Sequence, residues 1–294
     1  MKLWTLVILL ISISVCAQTP KTAAPPTPKL DSAEAHQRAW FAERRKAHPD
    51  LKQVAEGKYY MSDEESTPKE TSAQDVWTLW KSPDGEFEAA GTLEYSDESV
   101  PYWIQLNPRM QPVAFRVFRW ETTIGCRRTA SNLLCEETNS KGVVLRTVND
   151  GLKGPTEIFM PITFFWAALT RGPEIHGDEA VRFTMIAQGS ETETFPVSFN
   201  PVDASLKVLH LGKYPIVQSE MDAAEFELAA RDPSAEHPSN PQGAGLPPSP
   251  EPPQPYVPMM KLWVSANGIL LTATPVDPEA GYVRLVEFKK FEDF

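Results

Sequence analysis

Cysteine is scarce in this chain: three residues among 294, at positions 16, 126 and 135. None has a histidine close by in the sequence, which argues against a zinc site built on them. The five histidines, His36, His48, His176, His210 and His237, are scattered without ligand spacing. Also missing are a Gly-x-Ser-x-Gly elbow, a His-Glu-x-x-His pair, a P-loop and an EF-hand loop, so the common hydrolase, zincin, nucleotide and calcium signatures have no support. Basic residues are in deficit, 28 against 39 acidic ones. The resulting net charge of −11 repels nucleic acid and anionic membranes. The longest acidic run is only Asp63-Glu64-Glu65, so the charge reads as a solubilising surface. No apolar run approaches the roughly 20 residues a membrane helix needs.

What is present begins with a secretory pattern. Lys2 is followed by an apolar run from Leu6 to Ile11, then by Ser12 to Ala17 with small residues suited to cleavage after Ala17. Residues 1–17 therefore read as a signal peptide. A rival reading makes Cys16 the lipid-bearing first residue of a lipoprotein, against which Val15 stands where a small residue is wanted. Residues 18–30 are rich in proline, threonine and lysine and read as a flexible leader. Cleavage leaves Cys126 and Cys135 in a compartment where disulfides persist. A bridge across their eight-residue spacer contributes about 2.5–3 kcal/mol. Free thiols or a metal pair are the alternatives.

Residues 31–60 read as a helical arm, opened by Asp31-Ser32 and broken by Pro49. Its apolar face, Trp40-Phe41 and Leu51 among many charges, is thin. Such an arm either packs on the domain or stays mobile. From Trp77 the period changes to two. Alternation runs through Phe87–Tyr95, Trp103–Leu106, Val113–Arg119 and Val143–Arg146. It resumes in Val181–Met185, Leu206–Leu209, Phe226–Leu228, Leu262–Val264 and Tyr282–Phe288. Asp84-Gly85, Asn139 to Gly142, Gly189-Ser190 and Asn267-Gly268 supply hairpin turns. About ten to twelve short strands over 77–294 predict a mainly β domain with a curved antiparallel sheet.

One segment breaks the pattern. Pro161 to Leu169 is apolar nearly all round and is followed by Arg171, Gly172 and Pro173, the asymmetry of a short buried helix. It is expected to lie against the concave face of the sheet. Residues 232–258 are Pro-rich and poor in apolar residues, and read as an inserted loop. That loop is either a solvated insertion or a polyproline docking segment.

The order of these elements resembles a group of uncharacterised exported bacterial proteins. The resemblance spans about residues 86–291 and rests on Pro161–Pro173, Gly177–Phe183, Lys261–Leu271 and Arg284–Val286. It implies a β half-barrel wrapped round a helix, distantly similar to periplasmic lipoprotein carriers, with an apolar-ligand cavity. It carries over no functional residue. The N-terminal arm, the cysteine pair and the 232–258 insertion depart from it.

Glu136 and Glu137 are strand neighbours pointing to opposite faces, a poor acid–base pair. A hydrolase site assembled by folding is thus the weakest of three expectations. The leading one is a non-catalytic periplasmic or secreted protein, without cofactor or metal, that binds an apolar, lipid-like molecule or a cell-envelope protein. Its pocket would be lined by Trp103, Phe115, Phe165, Trp166 and Trp263. The third is an interaction module whose aromatics are all packed core.

Overall fold

The computed structural model describes residues 31–62, 73–95, 99–119, 122–152, 156–159, 163–170, 179–188, 199–216, 219–231, 255–276 and 282–292. The segments read as signal peptide and leader, the expected Gly189-Ser190 turn and nearly all of the expected Pro-rich insertion lie outside those residues. So does the start of the apolar segment at Pro161.

The chain is mainly β. Helix α1 (Asp31–Ala47) leads into β1 (Lys52–Ser62), β2 (Ala73–Lys81), β3 (Phe87–Tyr95) and β4 (Ser99–Leu106). Next come β5 (Pro112–Phe118), β6 (Thr122–Arg128), β7 (Asn132–Asn139), β8 (Val144–Gly151) and β9 (Thr156–Phe159). Helix α2 (Thr163–Ala168) precedes β10 (Val181–Gln188), β11 (Phe199–Ile216) and β12 (Ser219–Arg231). The last strands are β13 (Val257–Ser265), β14 (Leu270–Pro275) and β15 (Tyr282–Lys290).

All fifteen strands join one curved, unclosed sheet in the order β8-β7-β6-β5-β4-β3-β2-β1-β15-β14-β13-β12-β11-β10-β9. The first and last strands thus pair in the middle, and the mid-chain strands β8 and β9 form the two edges. Every pairing is antiparallel except β9 with β10. That parallel pair is joined through α2, because parallel neighbours need a crossover rather than a hairpin. Periodicity alone does not report strand direction; the tight turns pointed to a mainly antiparallel sheet, as found.

Two boundaries move. Residues 52–60, read as the end of a helical arm, are the central strand β1. Their burial alternates along Val54-Ala55, Gly57 and Tyr59, a period that Lys52, Lys58 and Glu56 obscure. The sheet therefore begins at Lys52 rather than near Trp77. The insertion also ends earlier than expected, since Val257 and Pro258 already pair with Ala230 and Ala229.

The core face is organised in cross-strand rows. One runs Ala55, Leu79, Ala89, Ile104, Phe115, Cys126 and Cys135 across seven strands, all buried. Cys126 and Cys135 are direct partners and form a disulfide. Reducing it is expected to lower unfolding stability by about 2.5 kcal/mol, read as a shift of the urea midpoint with and without reductant. An unchanged midpoint would show that the bridge contributes nothing.

The opposite face of β2–β6 carries α1. Trp40 lies edge-on to Trp103 with centroids 4.8 Å apart, and Phe41 meets Trp80 at 4.9 Å. Arg45 stacks over Trp80 at 4.2 Å and Arg116 over Trp40 at 5.2 Å. The buried carboxylate of Glu88 accepts from Arg44 at 2.7 Å and from the Trp103 indole at 3.0 Å. Gln37 donates to the carbonyls of Gly91 and Tyr102. The arm is therefore docked. Its contacts are cation–π and charge-assisted, which is why its apolar face is thin.

Candidate ligand pocket

The row next to the disulfide row has a different composition. Across β4, β3, β2, β1 and β15 it reads Tyr102, Gly91, Trp77, Gly57, Phe288. Aromatic residues alternate with glycine because the Trp77 ring lies against Gly57 and the Tyr102 ring against Gly91. A Cβ on Gly57 would sit 2.4 Å from Trp77 Cζ2, and one on Gly91 would sit 2.5 Å from Tyr102 Oη. Here glycine answers a close approach of side chain to backbone rather than a turn.

Trp77 is buried and surrounded by rings. Tyr59 stacks on it at 5.9 Å, Phe288 lies at 6.2 Å, and Phe164 of α2 meets it edge-on at 5.0 Å. Next to it, Tyr102 donates to the fully buried Asp75 at 2.8 Å. Burial and the Asp75 carboxylate both push the Tyr102 and Tyr59 hydroxyls well above the usual phenol range. Those hydroxyls stay protonated, so neither tyrosine serves as a base. The Trp77 indole N–H is buried and meets no acceptor. An unpartnered buried donor costs about 1–3 kcal/mol unless something occupies the site.

Beside Trp77 lies a cavity of about 520 Å³. Gly57, Trp77, Leu285 and Phe288 line it from the central strands, and Ile216 and Ser219 from the far end of the β11–β12 hairpin. Glu56, Lys58, Glu287 and Lys289 also contribute to its wall, with Lys289 3.6 Å from Glu56. The lining thus mixes apolar side chains with two acidic and two basic ones.

Of the five aromatics expected to line a pocket, the four whose side chains the structure describes do not share one place. Phe115 belongs to the core face, and Trp166 is buried with it in one cluster. Trp103 pairs with Arg116 and faces α1, on the other side of the sheet from Phe115, which pairs with Ile104. Trp263 pairs with Thr272, in register with exposed Arg284, and packs against His210 and Tyr214. The side chain of Phe165 lies outside what the structure describes. Trp77, which in the sequence marks only where the period changes to two, is found at the cavity together with Phe288. Its signal in the sequence was the pair of glycines in neighbouring strands, legible only once the register is known.

A second feature joins the two halves of the sheet. Glu157 on edge strand β9 is buried, with its Oε2 3.5 Å from Arg128 Nη1 of β6 and its Oε1 3.5 Å from Gln111 Nε2. Burial raises its carboxyl from 4.5 to about 7, with Arg128 opposing the shift. A raised carboxyl means that the unfolded chain ionises first as pH climbs. Stability is therefore full below about pH 4.5 and falls through the window up to about 7, by on the order of 3 kcal/mol. Glu157→Gln should flatten urea midpoints across that window, and a profile identical to wild type would remove Glu157 as its source.

Among the described residues, no group of His, Cys, Asp and Glu is arranged to hold a metal ion, and no helix is long and apolar enough to cross a membrane. No family model, curated protein or solved structure matches the chain. The pocket geometry is therefore the ground for a functional reading.

Proposed function

We propose that this is an exported, non-catalytic protein that takes up an apolar molecule in the cavity beside Trp77. The observation that carries the reading is the cavity itself, about 520 Å³, to which Val76, Ile216, Leu285 and Phe288 contribute apolar surface beside the charges of Glu56, Lys58, Glu287 and Lys289. A ligand with an apolar body and a polar end suits that mixed lining and fills about 520 Å³, within the usual range of small-molecule sites. Contacts of α2 with β5, β9, β13 and β14, and of Phe164 with Trp77, support a sheet that wraps the helix as a half-barrel. This is the architecture that the resemblance to exported half-barrel proteins implies. The disulfide supports a periplasmic or extracellular setting, where such bridges persist.

Titration with Nile red, followed by its fluorescence, tests the reading. Wild-type protein should take up the dye with quenching of Trp77. Ile216→Trp, at a half-buried position on the hairpin, should weaken uptake at least tenfold with an unchanged melting temperature. A folded wild-type protein that takes up no dye would leave the packed-core interaction module as the better account.

A further inference from the structure

The two edges of the sheet are unlike. Strand β9 is four residues long, and its Thr156 and Glu157 are buried. Strand β8 is eight residues long; Val144 to Thr147 and Asn149 are exposed, and Val148 is half-buried. At its start Val143, Val144 and Leu145 are 55%, 47% and 50% exposed, three consecutive apolar side chains in water. Among the described residues no strand pairs with the outer side of β8, so a row of backbone N–H and C=O groups is open to pairing there. Proline and lysine, which usually blunt such an edge, are missing from Val144–Gly151. The bulge in the β7–β8 pair falls near the start of β8, and Arg146 to Gly151 pair regularly with β7.

The order of residues along β8 favours one partner. Two copies of a strand pair antiparallel about a two-fold axis that passes through one residue position, because opposed residues must face the same side of the sheet. An axis at Arg146 sets arginine against arginine, and one at Thr147 sets Arg146 against Val148. An axis at Val148 sets Arg146 opposite position 150, an aspartate, and does so twice, with Thr147 opposite Asn149. No other register pairs the opposite charges of this strand. Arg146 lies 3.7 Å from Glu137 in its own chain, and the five donors of a guanidinium serve two carboxylates. The same register carries Val144 and Leu145 to the Gly151–Leu152 end of the second copy. A Cβ on Gly151 would meet nothing within 4 Å, so there is room at that end for their side chains.

We infer that β8 is a self-association edge, on which two copies of this chain pair about Val148 and join their sheets into one. The pairing takes up the open backbone groups and covers the apolar start of the strand.

Sedimentation of the purified full chain over a range of concentrations tests this, and the wild type should sediment as two copies. Asp150→Arg brings four arginines together around the axis and should weaken the dimer about tenfold. Cross-linking reads the register with both charges in place, and decides the matter if Asp150→Arg fails to fold. Residues directly opposite lie about 4.5–5.5 Å apart between Cα atoms, within the span of a disulfide. In a Cys16→Ser background, Thr147→Cys protein mixed with Asn149→Cys protein should therefore cross-link to it in preference to itself. A wild type that sediments as one copy at every concentration overturns the inference. So does a dimer that a folded Asp150→Arg variant leaves as tight as before, or one in which Thr147→Cys cross-links to itself as readily as to Asn149→Cys.

Discussion

Gly57→Ala is expected to destabilise the protein by about 3 kcal/mol, measured as the loss in unfolding free energy in urea. The added Cβ meets Trp77 Cζ2 at 2.4 Å, Trp77 Cε2 at 2.7 Å and the backbone carbonyl of Glu287 at 2.9 Å. The ring cannot retreat, because Tyr59, Phe164 and Phe288 hold its other sides. The Glu287 carbonyl belongs to the ladder between β1 and β15, so its retreat would open the centre of the sheet. Overpacking a filled core typically costs about 1–3 kcal/mol, and an obstruction by backbone lies at the upper end. A double-mutant cycle with Trp77→Phe isolates the clash. If the smaller ring recovers none of the loss, close approach of the Trp77 ring is not the reason for glycine at 57.

Phe164→Ala and Trp166→Ala are each expected to cost about 3–5 kcal/mol, the range for deleting a buried aromatic. Phe164 is 4% exposed and Trp166 6%, and both lie in the same core cluster as strands from both halves of the sheet. Phe164 carries the contact to Trp77, so its loss removes packing from the ligand site as well as from the helix. The two variants therefore separate a second quantity. Phe164→Ala should weaken dye uptake beyond its effect on stability, since Trp77 is then free to tilt. Trp166→Ala should change stability alone. Loss of less than about 1 kcal/mol in either variant, under conditions where the wild type is fully folded, would contradict the buried position of α2.

Much of the fold was legible because strands and turns are local. The alternation in Phe87–Tyr95, Val113–Arg119 and Tyr282–Phe288 gives strands in the structure. Asp84-Gly85, Asn139 to Gly142 and Asn267-Gly268 give turns, with Gly85, Gly142 and Gly268 at positive φ. The cysteine pair was legible for the same reason, since a short spacer in a hairpin brings its ends opposite each other. Strand β1 was not, because Lys52, Lys58 and Glu56 mask its burial pattern and the preceding helix extends the eye. The docking of α1 was not, because Arg44, Arg45 and Arg116 look like solvated charge until Trp103, Trp80 and Trp40 are placed beneath them.

The candidate site was the least legible part. By itself the sequence determined the mainly β class, most strand positions, the tight turns, the disulfide and a short buried aromatic helix, all of them properties of neighbours in the chain. Only the tertiary structure decided that β1 pairs with β15. That single pairing sets Gly57 beside Phe288, so that the Trp77 ring lying over Gly57 also meets the Phe288 ring. A period of two says that a residue faces one side or the other. It does not say which side of a distant strand that is, because register between strands far apart in sequence is a property of the whole sheet.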